Sequence, residues 1–256
     1  METILSEIQL KLREIEEKEQ IRILLAVESG SRAWGLASPD SDYDVRFIYV
    51  RNKEDYFRLD PPKDTIEWQL DEVLDINGWD LKKALIHFRK GNATLFEWGN
   101  SPIVYKKTDE WEKIFKLMQS YFSMKAAIYH YYGTAQSTYS QYLQDKTVQY
   151  KKYFYALRPL LACRFIEANH CPPPVEFKDL LNSSTPKNLI PEIENLIEKK
   201  KSMDEKVLSP QISSIIDFIS LELQKQKALV NAMEDDRNED WKLLNDVFFK
   251  AFEGEL

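Results

Sequence analysis

The chain changes its periodicity once, and that change limits the fold more than any other feature of its 256 residues. Up to Ser101-Pro102, short apolar runs alternate with helical patterns; from Asp109 onward the spacing is helical almost without a break. Alternation at every second position suits a half-buried strand, and recurrence at three and four positions suits an amphipathic helix. The sequence therefore predicts an α/β (α+β) domain with a small mixed sheet over residues 1–107. An all-α domain over residues 108–256 is expected to close a cleft over it.

Ile4, Leu5, Ile8, Leu12 and Ile15 predict an opening amphipathic helix. Ile23–Val27, an apolar run that stops at Glu28-Ser29-Gly30, reads as a strand, as does Tyr43–Val50 (YDVRFIYV) with its β-branched and aromatic residues. Between them, Ser31–Ser38 reads as a short helical turn and Ser38-Pro39-Asp40-Ser41 as a turn. Thr65–Leu70 and Glu72–Ile76 are two further predicted strands, and Asp80 is the predicted N-cap of a helix running to Arg89. In the second half, Thr185-Pro186 and Ser209-Pro210 each place a hydroxyl before a proline, predicting two helix starts.

A formal charge of −7 speaks against a generally basic, nucleic-acid-coating protein, but the charge is uneven. Residues 1–105 carry 14 basic and 20 acidic side chains, whereas residues 113–166 carry eight basic ones against one acid, Asp145. Nine of the thirteen tyrosines fall between Tyr121 and Tyr155, in that basic segment. Lys151, Tyr155 and Arg158 share one helix face there, with Lys152 roughly 100° round from Lys151. Aromatics interleaved with cations suit triphosphate or single-strand binding, and aromatics at helical spacing equally suit a core. No run of about 18 apolar residues exists and the N-terminus lacks the pattern of a signal peptide, so a cytoplasmic protein with no membrane partner is expected. Cys163 and Cys171 lack metal-ligand spacing. There is no P-loop and no dinucleotide fingerprint, which removes the common ATPase and Rossmann readings.

The chemistry is concentrated in VESGSRAWGLASPDSDYDVRFIYV, residues 27–50. On a strand, Asp42 and Asp44 point to one face while Tyr43, Val45, Phe47 and Tyr49 point to the other. Adjacent carboxylates repel unless a cation compensates them, and hard oxygen ligands from one or two Asp residues are how proteins hold Mg²⁺. Gly30 lets the backbone approach a ligand closely, and the N–H groups of Ser31 and Arg32 are available to an anion. An anion site beside paired carboxylates is the equipment of phosphoryl or nucleotidyl transfer.

Gly30-Ser31 followed by Asp42-x-Asp44 resembles the signature of the DNA polymerase beta-type nucleotidyltransferase superfamily. The wider string is similar to its bacterial and phage branch that includes RNA-repair-pathway members. That likeness continues through residues 75–83, Gly91-Asn92, Glu97-Trp98 and Lys151–Pro159 (KKYFYALRP). The resemblance implies Mg²⁺-dependent transfer of a nucleoside monophosphate from a triphosphate, ATP first, to an acceptor hydroxyl. Two Mg²⁺ ions, replaceable by Mn²⁺, are implied on Asp42, Asp44 and a third carboxylate from a later strand. Asp75, flanked by apolar residues, fits that role better than Asp80, which has a helix to cap. Gly30, Ser31, Arg32, Arg46, Lys83, Lys151, Lys152, Tyr155 and Arg158 are the implied nucleotide contacts; for Arg46, an ion pair to the carboxylates is the competing reading. The acceptor implied first is an RNA end. Alternatives are AMP transfer to a protein hydroxyl and a non-catalytic nucleotide- or RNA-binding module that keeps the fold.

Overall fold

Strand pairing decides where the carboxylates of the N-terminal part end up. The computed structural model describes residues 2–38, 41–69, 73–202 and 207–253. They divide into two units: the described residues of 1–33, 40–121 and 238–256, and those of 34–39 and 122–237.

In the first unit, β1 (Ile21–Glu28), β2 (Tyr43–Arg51), β3 (Thr65–Gln69), β4 (Leu74–Asp80) and β5 (Val104–Lys107) form one sheet in the order β3-β4-β2-β1-β5. β2 and β4 run parallel and the other neighbours antiparallel, so the sheet is mixed, as expected. α1 (Glu2–Glu19) lays Ile8, Leu12 and Ile15 on one face, against Ile23 of β1, Val45, Phe47 and Tyr49 of β2, and Ile76 of β4. Each such side chain, fully buried, contributes about 1.5–3 kcal/mol, enough to fix which face of β2 is inward. The strand's period of two then sends Asp44 and Arg46 to the opposite face. A register irregularity between Ile23 and Leu25 re-phases β1, so that Ala26 joins the α1 face and Glu28 pairs with Val45.

α2 (Gly30–Ala33) is a single turn between β1 and β2. α3 (Leu81–Arg89) starts as predicted, with the Asp80 carboxylate accepting the Lys82 N–H at 2.7 Å. It is followed by α4 (Ala93–Gly99) and α5 (Asp109–Met118), joined through the rings of Phe88, Phe96 and Phe115. The first unit also takes in α5 and α11 (Trp241–Glu253), beyond the 107/108 line drawn from the sequence. Pro39, Asp40, Leu70 and Glu72, which fall in predicted turns and strands, lie outside the described residues.

The second unit holds α6 (Met124–Tyr142), α7 (Tyr150–Asn169), α8 (Phe177–Ser184), α9 (Ile190–Ser202) and α10 (Ser213–Ala232). α7 is buried without a break from Ala156 to Cys163, as a helix packed among other helices must be, while Tyr155 stays exposed. Two predicted helix starts are corrected here. Thr185 closes α8, and a turn carries the chain to Ile190 before α9 begins. Ser209-Pro210 lies in β7 (Leu208–Pro210), paired with β6 (Thr147–Gln149) in a two-stranded sheet whose strands are both edges, where proline is tolerated. No helix among the described residues is long and apolar enough to cross a membrane.

Candidate functional site

The parallel pairing of β2 with β4 sets Asp44 beside Asp75 in register, on one face of the sheet. Arg46, two residues along the same face, closes the gap. Its Nη2 donates to Asp44 Oδ1 at 3.0 Å and to Asp75 Oδ2 at 2.8 Å, while Nη1 donates to the backbone oxygens of Val45 and Asp75. Both readings of Arg46 thus begin from an ion pair at the site. Asp42, just ahead of β2, is exposed and acts on Asp44 through its charge. Burial pushes the Asp44 carboxyl above its ordinary pKa; the Arg46 guanidinium opposes this, and Asp75 and Asp42 add to it.

Gly30 meets a close-approach requirement at a positive φ of 60°. A Cβ there would stand 2.3 Å from Asp44 Oδ2, so only glycine lets the turn after β1 lie against that carboxylate. Ser31 follows in α2. Arg32 stacks on the Tyr43 ring at 3.6 Å and donates to the backbone oxygens of Ser41 at 2.5 Å and Asp42 at 3.0 Å. It holds the segment that presents Asp42.

Sequence reasoning passes over Glu28. This acid is only 1% exposed, and its Oε1 accepts the Asp44 N–H at 2.8 Å. Its position at the end of an apolar strand, directly before Ser29-Gly30, is the signal that was available. Burial raises its pKa, opposed by the hydrogen bonds from Tyr105 and from the Asp44 backbone.

The donor set suits a hard divalent cation. Oxygens of Asp44 and Asp75 lie within 3.0 Å of one cationic nitrogen, Arg46 Nη2, which stands where such a charge is needed. Among the described residues no three His, Cys, Asp or Glu side chains are grouped so as to hold a metal ion; the Asp44–Asp75 pair is spanned by the Arg46 guanidinium.

A family described as RlaP, the RNA repair pathway DNA polymerase beta family, matches residues 4–250. The chain belongs to that family. Among relatives, it is 40% identical over 245 residues to the uncharacterized protein YcgL of Bacillus subtilis (strain 168), covering 95% of this chain and 94% of that one. A nucleotidyltransferase-like protein from Exiguobacterium sibiricum 255-15, known from a crystal structure, aligns over 96% of this chain and 80% of its own. Its identity is 13% and the TM-score 0.29. The RlaP match covers β1, α2, β2 and β4, the elements that bring Gly30, Asp42, Asp44 and Asp75 together, and it makes the chain nucleotidyltransferase-like.

The other candidates on this chain lie elsewhere. Asp80 caps α3 and accepts the Tyr56 hydroxyl at 2.7 Å. It stands five residues along β4 from Asp75, about 17 Å at strand spacing. Lys83 is on α3 at that same end, paired with Asp64 at 3.1 Å. In the second unit, Lys151, Lys152, Tyr155 and Arg158 open α7. Lys152 lies 3.7 Å over the Tyr142 ring, and Tyr155 packs edge-on to Trp34. Arg158 is 2% exposed, donates to the Val175 oxygen and stacks on Trp34 at 4.5 Å.

Proposed function

We propose that this chain transfers a nucleoside monophosphate from a triphosphate, ATP first, to a hydroxyl at an RNA end, releasing pyrophosphate. The observation that carries the reading is the convergence of Asp44 and Asp75 on one cationic nitrogen, with Gly30 packed against Asp44. Asp42, Asp44 and Asp75 hold the cations, and the turn at Gly30-Ser31 receives the β- and γ-phosphates. Two Mg²⁺ ions, replaceable by Mn²⁺, would neutralise triphosphate charge and lower the pKa of the attacking hydroxyl. A cation on those oxygens would take the place of the Arg46 guanidinium, which would then be available to phosphate. Arg32 keeps Asp42 in place through Tyr43 and the backbone oxygens of residues 41 and 42.

RNA as the acceptor is supported by the family's description as an RNA repair pathway family. Seven of the eight basic side chains in residues 113–166 lie outside the core, against one acid, and support it as well. Lys151, Lys152 and Tyr155 are proposed as contacts for nucleotide or RNA phosphates; Arg158 is assigned to holding Trp34 and the Val175 oxygen. The test is incubation with α-phosphate-labelled triphosphates, Mg²⁺, and RNA and protein acceptors side by side. Label is expected in RNA. Label found in protein instead replaces this acceptor with a protein hydroxyl.

A further inference from the structure

Glu28 is an acid buried in an unusual place. It ends β1 on the α1 face of the sheet, behind Asp44, whose carboxylate is on the other face. Both carboxylate oxygens are used: Oε1 accepts the Asp44 N–H and Oε2 accepts the Tyr105 hydroxyl. Its backbone is pinned too, with its N–H bonded to the Ile103 oxygen at 2.9 Å and its carbonyl accepting the Ser101 hydroxyl at 2.6 Å. The next residue, Ser29, donates its N–H to the Asp44 carbonyl at 2.8 Å. The one after that, Gly30, lies against the Asp44 carboxylate. Three consecutive residues therefore hold the N–H, the C=O and the side chain of Asp44.

We infer that Glu28, anchored by Tyr105, is a positioning residue that fixes the Asp44 carboxylate for cation binding. This rests on the cation-holding role proposed for Asp44. Desolvating a carboxylate is costly, and the site requires an acceptor for two donors from different strands. Leucine at position 28 leaves the Asp44 N–H and the Tyr105 hydroxyl without their acceptor, so the peptide that carries the carboxylate is free to turn. Glutamine keeps both links, accepting from Asp44 with its oxygen and donating to the Tyr105 oxygen with its amide. The role is geometric, so removing the charge alone should be tolerated.

The test uses the full chain with Mn²⁺ alone as the probe, its affinity read by electron paramagnetic resonance, and hydrogen exchange at the Asp44 amide. Glu28→Leu is expected to weaken Mn²⁺ binding at least about tenfold, the usual cost of removing a group that orients a metal ligand. Tyr105→Phe should weaken it in the same direction by less, and Glu28→Gln should stay within about threefold of wild type. Protection of the Asp44 amide should fall in the first two variants and persist in Glu28→Gln. If Glu28→Leu does not fold, Tyr105→Phe against Glu28→Gln decides. Wild-type Mn²⁺ affinity and amide protection in Tyr105→Phe and any folded Glu28→Leu overturn the inference. So does a loss in Glu28→Gln as large as in Glu28→Leu, which would make the charge the operative property. Wild type that binds no Mn²⁺ sinks the cation-holding reading of Asp44, and the amide exchange still decides whether Glu28 positions it.

Discussion

Gly30→Ala puts a methyl group where the Asp44 carboxylate stands. The new Cβ would lie 2.3 Å from Asp44 Oδ2 and 3.2 Å from its Cγ, at a φ of +60°. Left-handed backbone costs an alanine about 1–2 kcal/mol. The carboxylate must also retreat by about 1 Å to reach ordinary contact, which disturbs the 3.0 Å bond from Arg46 Nη2. That ion pair is partly exposed and contributes about 1 kcal/mol or less. The summed loss of about 1–3 kcal/mol is tolerable for a domain of ordinary stability. Transfer suffers more, because misplacing a reacting group by about 1 Å costs on the order of 10²-fold in rate. Gly35→Ala is the control. Gly35 has a φ of +70° but its nearest neighbour, Glu176 Oε1, is 4.0 Å from the added Cβ, so only the backbone cost applies. Urea denaturation measures the stability change and initial-rate transfer of labelled α-phosphate measures the function. Gly30→Ala that transfers at the wild-type rate, or Gly35→Ala that loses as much activity, would show that the close approach of Gly30 to Asp44 does not govern transfer.

Arg46→Gln leaves Asp44 and Asp75 facing each other without a countercharge, so Mg²⁺ should raise its melting temperature by more than it raises that of wild type. An equal or smaller rise in calorimetry contradicts a shared cation position. Asp75→Asn should lower transfer by about 10²-fold or more, while Asp80→Asn should keep it, since asparagine is an equally good helix cap. The reverse pattern in rate assays makes Asp80 the third carboxylate. Asp80 also predicts a pH dependence: burial raises its pKa above 3.8, so the folded state holds the proton more tightly than the unfolded one. The contribution of Asp80 to stability therefore falls as pH rises from 3.8 through its folded-state value and levels off above it. Asp80→Asn lacks this loss, and its stability relative to wild type should climb across that window; a flat difference in denaturation curves at pH 4 and pH 7 contradicts it.

Much of the first unit is legible because its signals are local. The alternation in YDVRFIYV separates Asp44 and Arg46 from Val45, Phe47 and Tyr49 without reference to any other strand. Asp80 is legible as a cap because a helix pattern follows it at once. What escapes the sequence depends on distant partners. β5 is four residues (VYKK) at a sheet edge, too short for a period to show. Ser209-Pro210 looks like a helix start until Thr147–Gln149 pairs with it. Arg158 shares a helix face with Lys151, but its burial follows from Trp34 and Val175, neither on its own helix. Glu28 is hidden for the same reason, since its use as an acceptor is set by Asp44 and by Tyr105, 77 residues away. Why Arg46 spans two carboxylates is visible only once β4 lies parallel to β2 in register.

Release of pyrophosphate is the most direct measure of nucleotidyl transfer at Asp42, Asp44 and Asp75. Wild type with ATP, Mg²⁺ and RNA is predicted to release pyrophosphate in step with label gained by the RNA, and Asp42→Ala and Asp44→Ala are predicted to release none. Wild type that binds ATP yet releases no pyrophosphate with any triphosphate, metal or acceptor contradicts nucleotidyl transfer and leaves a nucleotide-binding module in its place.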